Sequence, residues 1–120
     1  SGEKISEIIN NINRERFLGI ILSCISPENY DLNLKEIKNL GVPFGFKLNA
    51  FIKTNPNPNY TGAYYSSKSG NPNEFLGQRK DLTPDKMAEF AKKFKDAGAT
   101  ILGGCCETRP AHIKKMFELK

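Results

Sequence analysis

Ile101-Leu102-Gly103-Gly104-Cys105-Cys106 is the stretch on which the fold turns. A short apolar run ends in two glycines and two adjacent cysteines, and Pro110 opens a predicted helix just beyond. A continuous apolar run bounded by turn residues is the pattern of a strand buried on both faces. The chain has one matching run upstream, Phe17-Leu18-Gly19-Ile20-Ile21-Leu22-Ser23, and it too ends in a cysteine, Cys24. A third run, Val42 to Leu48, ends at Asn49, with Pro43 confined to its very start.

Helical patterns separate these runs. Ile5, Ile8, Ile9 and Ile12 form one apolar stripe over residues 4–13. Leu32, Leu34, Ile37 and Leu40 form another over 31–40, stopped by Gly41, after the punctuating Ser26-Pro27-Glu28-Asn29. Thr83-Pro84-Asp85 opens the clearest helix: Thr83 suits the N-cap, Pro84 the first helical position, and Asp85 the positive helix end. Met87, Phe90, Ala91 and Phe94 are its inward stripe, and Gly98 stops it. Ala99 to Leu102 then reads as strand, and Ile113, Met116 and Phe117 as the inward side of the last helix. Strands alternating with helices predict an α/β fold of parallel β/α units. Between Lys53 and Leu82 the periodicity dissolves among prolines, asparagines and glycines. About 30 residues of this kind are uncommon inside a compact domain and predict a long irregular loop.

At 120 residues the chain is one domain at most. No apolar stretch reaches the roughly 20 residues of a membrane span. The start, Ser1-Gly2-Glu3-Lys4, has no signal-peptide core and no initiator Met, which reads as a processed chain or one that begins inside a longer protein. Three cysteines are odd in number and sparse, which argues against a disulfide scaffold and for a reducing, cytoplasmic setting. The net charge of +5 comes from lysines scattered among acids. Such a surface lacks the basic stripe with interleaved aromatics of a single-strand binder, so no nucleic-acid partner is expected.

In parallel β/α proteins ligands bind at the carboxyl ends of the strands. Cys24, Asn49 and the Cys105–Cys106 pair all fall there. Three thiols at strand ends predict three ligands for one soft metal with a coordination position left open, and zinc suits such a set best. Adjacent strand residues point to opposite faces, so both Cys105 and Cys106 reach one metal only if the chain turns there. Gly103 and Gly104 suit that turn or the close approach of a ligand. Two other readings of the thiols stay open: buried cysteines serving as small hydrophobes, and a vicinal redox disulfide, which leaves Cys24 unexplained. His112, the one histidine, is expected to cap or pack its helix. Asn49 is read as a pocket residue or a turn former, and Glu107 as solvent-facing or paired with Arg109.

Gly103-Gly104-Cys105-Cys106 followed by Pro110-x-His112-Ile113 resembles the C-terminal signature of the homocysteine S-methyltransferase family. Ser23-Cys24-Ile25-Ser26-Pro27-Glu28 resembles its earlier zinc-ligand motif, and Leu48-Asn49-Ala50-Phe51 its intervening strand-end element. Leu82 through Ala99 is similar to the helix before its Gly-Gly-Cys-Cys strand. The resemblance implies a (β/α)8 barrel and a Zn2+ ion held by Cys24, Cys105 and Cys106. It further implies methyl transfer to the thiol of homocysteine to form methionine. The implied donors are betaine, S-methylmethionine, S-adenosylmethionine or, by way of cobalamin, methyltetrahydrofolate. Asn49 is its expected substrate contact. Ser23 stands where the family usually has Asn, and Glu107 where many members have Gly.

A full barrel takes about 250 residues. Residues 1–120 are therefore expected to be a partial barrel domain, its last three β/α units. The chain would then carry the zinc ligands without the whole pocket. It is expected to be weakly active or inactive without the remaining barrel or a second subunit. The alternative is a non-catalytic zinc- or thiol-binding β/α module.

Overall fold

The computed structural model describes residues 3–52 and 76–119. Three parallel strands, β1 (Ile20–Ile25), β2 (Phe44–Leu48) and β3 (Ile101–Gly104), form one sheet in the order β1-β2-β3. Among the described residues four α-helices accompany them: α1 (Ile5–Asn10), α2 (Pro27–Ile37), α3 (Pro84–Asp96) and α4 (Pro110–Phe117), with a short 3-10 turn at Arg14–Arg16. The predicted β/α alternation and parallel sheet are present. Residues 53–75 of the predicted 53–82 loop lie outside the described residues.

Local chemistry sets the helix starts. Thr83 Oγ1 accepts from the Lys86 amide at 3.2 Å, and Pro84 and Asp85 follow, as expected. Ser26 does the same for α2, accepting from the Asn29 amide at 3.3 Å. Residues 26–29, read as punctuation, are thus the cap and first turn of a helix that starts at Pro27 rather than at residue 31. Pro at the first helical position forfeits no hydrogen bond, which is why a Ser-Pro pair opens this helix instead of breaking the chain. At α4, His112 Nδ1 accepts from the Arg109 amide at 2.9 Å, and Nε2 lies 2.9 Å from Leu82 O. A ring that accepts at Nδ1 carries its proton at Nε2 and donates it to that carbonyl. His112 therefore caps its helix and pins it to the start of α3.

The boundaries of all three strands move, and β2 begins at Phe44 rather than Val42. β1 begins at Ile20, and Leu18 is 96% exposed. β3 runs Ile101–Gly104, two residues later than expected, so both glycines lie in the strand. The first helix ends at Asn10, leaving Ile12 exposed.

The sheet has two unlike faces. The register aligns Leu22, Phe46 and Leu102 in one row, and Ser23, Lys47 and Gly103 in the next. The Phe46 side is covered by helices. Tyr30 of α2, Phe46 and Phe94 of α3 are fully buried, with ring centroids 4.6 to 5.5 Å apart. Met87, Ala91, Ile37 and Leu48 complete this core. Each of the Phe, Met, Ile and Leu side chains contributes about 1.5–3 kcal/mol on burial. The opposite face carries Ile21, Ser23, Lys47 and Ile101, all exposed. Gly45 is buried between Ile21 and Ile101 in that row, and a Cβ there would come within 2.1 Å of Ile101 O. Only glycine fits so close an approach.

Candidate metal centre

The carboxyl end of the sheet gathers the three cysteines. Cys24 lies in β1, where the register shifts between Ser23 and Ile25. Its φ of 56° is left-handed, a conformation non-glycine residues rarely adopt and one that costs about 1–3 kcal/mol. The bulge takes Cys24 out of the strand's alternation and re-aims its side chain. Asn49, just past β2, holds it there. Asn49 is buried, and its Nδ2 donates to Cys24 O at 2.6 Å and approaches Cys24 Sγ at 3.7 Å. Its Oδ1 accepts from the Phe51 amide.

Cys105 and Cys106 follow β3 directly. The Cys105 amide donates to Leu48 O at 2.7 Å, and Cys106 O accepts from the Ala50 amide at 3.0 Å. Both residues are thus stitched to the end of β2. The chain then turns at Cys106 and Glu107, the latter with φ 62°. Thr108 closes the turn, its hydroxyl donating to Cys105 O at 2.6 Å. From the sequence, Gly103 and Gly104 suit either this turn or the close approach of a ligand. Instead, Gly104 makes room for Thr108, since a Cβ there would lie 2.3 Å from Thr108 Oγ1.

Cys24 Sγ lies 3.6 Å from Cys106 Sγ, and Cys105 Sγ 3.9 Å from Cys106 Sγ. All three sulfurs fall within 4.8 Å of one another. Thiolates on one tetrahedral zinc, with Zn–S about 2.3 Å, sit about 3.8 Å apart. The donor set and its spacing therefore fit zinc, and the thiols are free of disulfides. No fourth His, Cys, Asp or Glu joins the cluster among the described residues. Cys24 and Cys106 are exposed, so the cluster is open on one side.

The thiols differ electrostatically. Burial and the two neighbouring sulfurs push Cys106 up to about 12. At Cys105 burial acts the same way, but hydrogen bonds from Cys24 and from the Cys106 amide and thiol, together with the positive charge of Lys47, outweigh it and hold this thiol below its ordinary value. Glu107 pairs with Arg109 at 3.3 Å, yet its side chain is only 5% exposed, so it does not face solvent.

Residues 77–79 are not patternless. Gln78 bridges Phe51, the Ile52 amide donates to Gly77 O, and the Arg79 amide to Ala50 O. Arg79 also grips Glu28, in the first turn of α2, through both terminal nitrogens at 2.8 and 2.9 Å. Three residues of this neighbourhood went unnoticed in the sequence: Thr108, Arg79 and Lys47. Only Lys47 left a signal, as the one charged residue within the three strands.

Fold and site together define a parallel β/α protein with an open three-thiol cluster at its strand ends. The family model for homocysteine S-methyltransferases matches residues 1–119. The chain belongs to that family, which makes it a protein of the methyltransferase type. No solved structure matches it significantly.

Proposed function

We propose that this protein transfers a methyl group to the thiol of homocysteine, forming methionine, with zinc held by Cys24, Cys105 and Cys106. The observation that carries the reading is the convergence of three sulfurs within 4.8 Å from the ends of two strands. A closed structural zinc site takes four protein ligands, whereas a catalytic one takes three and leaves a position for substrate. The open, three-membered cluster favours the catalytic reading over a purely binding module.

When bound, zinc supplies Lewis acidity that keeps a thiol deprotonated at neutral pH. The protein's own part is placement. The β1 bulge and Asn49 fix Cys24, while Thr108 and the β2 carbonyl of Leu48 fix Cys105. The substrate sulfur attacks the methyl carbon of an onium donor such as betaine, S-methylmethionine or S-adenosylmethionine. A carbon–sulfur bond forms, the donor's bond to that methyl breaks, and its electron pair leaves with the neutral amine or sulfide. Holding both reactants in line makes the step effectively unimolecular. On this reading residues 1–120 are the last three units of a (β/α)8 barrel in a reducing, cytoplasmic setting. The remaining units, or a second subunit, complete the pocket.

Metal analysis of purified protein tests the site, and methyl transfer to homocysteine in the full-length product tests the reaction. One zinc per chain is expected, lost in Cys106→Ser. A Cys106→Ser protein that keeps stoichiometric, chelator-resistant zinc would overturn the three-thiol site. Zinc-loaded full-length protein inert with every onium donor would overturn the reaction.

A further inference from the structure

Lys47 is out of place for a parallel sheet. It sits in the central strand, where both neighbours pair with it, and it is the one charged residue in the three strands. Charged side chains are rare in such positions unless they meet a partner. Lys47 has no carboxylate partner among the described residues.

Its surroundings are shaped around it. The side chain leaves the open face of the sheet, opposite buried Phe46 and Leu48. The register neighbours are Ser23 and Gly103, both small. A Cβ at Gly103 would touch Lys47 Cγ at 3.5 Å, so the lysine stem lies beside this glycine. Cys105, two residues past Gly103, continues that strand's pairing with β2 through its bond to Leu48 O. At about 3.3 Å per residue the row holding Lys47 lies roughly 6.6 Å below Cys105 along the strand. The four-carbon stem of a lysine covers that distance.

We propose that Lys47 is the specificity-determining residue that binds the carboxylate of the thiol substrate. The inference rests on the functional reading above and deepens it, by naming the residue that selects thiols carrying a carboxylate. An amino-acid thiol brings a carboxylate to a site already crowded with sulfur anions. A cation beside the cluster, flanked by small residues and without a competing acid among the described residues, offsets that repulsion. It also orients the short carbon chain so that the sulfur reaches the thiols.

The test compares two thiols of the same reach, 4-mercaptobutyrate and 1-butanethiol, on the cobalt-loaded full-length protein. Binding is followed by the change in cobalt–thiolate absorption. The unaltered protein is expected to prefer the carboxylate by roughly 10–100-fold, the range of a hydrogen bond to a charged group. Lys47→Met should bring the ratio close to one at unchanged metal content, and Lys47→Arg should keep most of it. An unchanged ratio in Lys47→Met overturns the inference while leaving the functional reading intact. So does a loss of metal affinity at an unchanged ratio, which assigns Lys47 to the cysteines alone. Failure of the unaltered protein to bind either thiol overturns the functional reading, and this inference with it.

Discussion

The two faces of the sheet obey different rules. On the covered face the row Leu22–Phe46–Leu102 meets Tyr30 and Phe94, and packing decides every side chain. On the open face the next row is Ser23–Lys47–Gly103, small or charged, and it leads directly to the thiols. A substitution on the first face should be read in unfolding free energy. One on the second should be read in metal or ligand binding at nearly constant stability. The chain separates the two roles by strand alternation alone, because successive residues face opposite ways.

The largest expected effect is on the covered face. Phe94 is fully buried between Tyr30 and Phe46. Phe94→Ala should cost about 3–5 kcal/mol, as removing a large core ring does, and urea unfolding followed by circular dichroism measures it. A loss below about 1 kcal/mol would mean that this face is not the core. Next comes Asn49, at the boundary between the faces. Its amide holds Cys24 in a left-handed conformation through the carbonyl at 2.6 Å. Asn49→Ala should lower zinc affinity about 10–100-fold, the usual consequence of losing a group that orients a ligand. Competition with a chromophoric chelator checks it. Unchanged affinity would show that the bulge alone aims Cys24.

Tyr30 gives a smaller effect of opposite sign. Its hydroxyl is buried and has no hydrogen-bond partner among the described residues, and burial pushes the phenol up to about 12. Tyr30→Phe keeps the ring and removes an unsatisfied group. It should stabilise the protein by about 1 kcal/mol, seen as a higher urea midpoint with an unchanged slope. A destabilised variant would show that the hydroxyl has a partner after all.

The sequence made the covered face legible because packing leaves a periodic trace. The stripe Met87, Ala91 and Phe94 was read correctly, and Phe90 packs half-buried against it. The thiols were legible as strand-end residues, since parallel strands put their chemistry there. What stayed hidden was geometry without periodicity. Nothing in Ser23-Cys24-Ile25 announces a bulge, and nothing in Gly103-Gly104 says that one glycine accommodates Thr108 and the other flanks a lysine stem. The Ser26-Pro27 start of α2 was misread because the same residues open helices and make turns. The open face also misled the reading of strands buried on both sides. Ile21 and Ile101 are apolar, as that pattern requires, yet 43% and 37% exposed.

The finest test concerns the rim where the faces meet. Arg79 joins them: its amide donates to Ala50 O beside the thiol turn, and its guanidinium holds Glu28 at the start of α2. The hydrogen bond from Arg79, ahead of the opposing effect of burial, holds the Glu28 carboxyl below its ordinary value of 4.5. Glu28 is about half exposed, its side chain 48% accessible, so solvent screens the pair and its worth is about 0.5 kcal/mol. A carboxylate whose folded value is depressed stabilises the fold above its unfolded value, and that contribution fades as pH falls through the folded one. Arg79→Gln should therefore lower stability by about 0.5 kcal/mol at pH 7. The difference should shrink below pH 4.5 and vanish once both Glu28 and Asp81, which Arg79 also holds at 2.7 Å, are protonated in the folded state. Paired urea titrations at neutral and acid pH measure this. A penalty that persists after both carboxylates are protonated would mean that Arg79 works through the packing of its stem rather than through Glu28 and Asp81. The rim would then belong to the covered face, and the boundary between packing and chemistry would lie closer to the thiols.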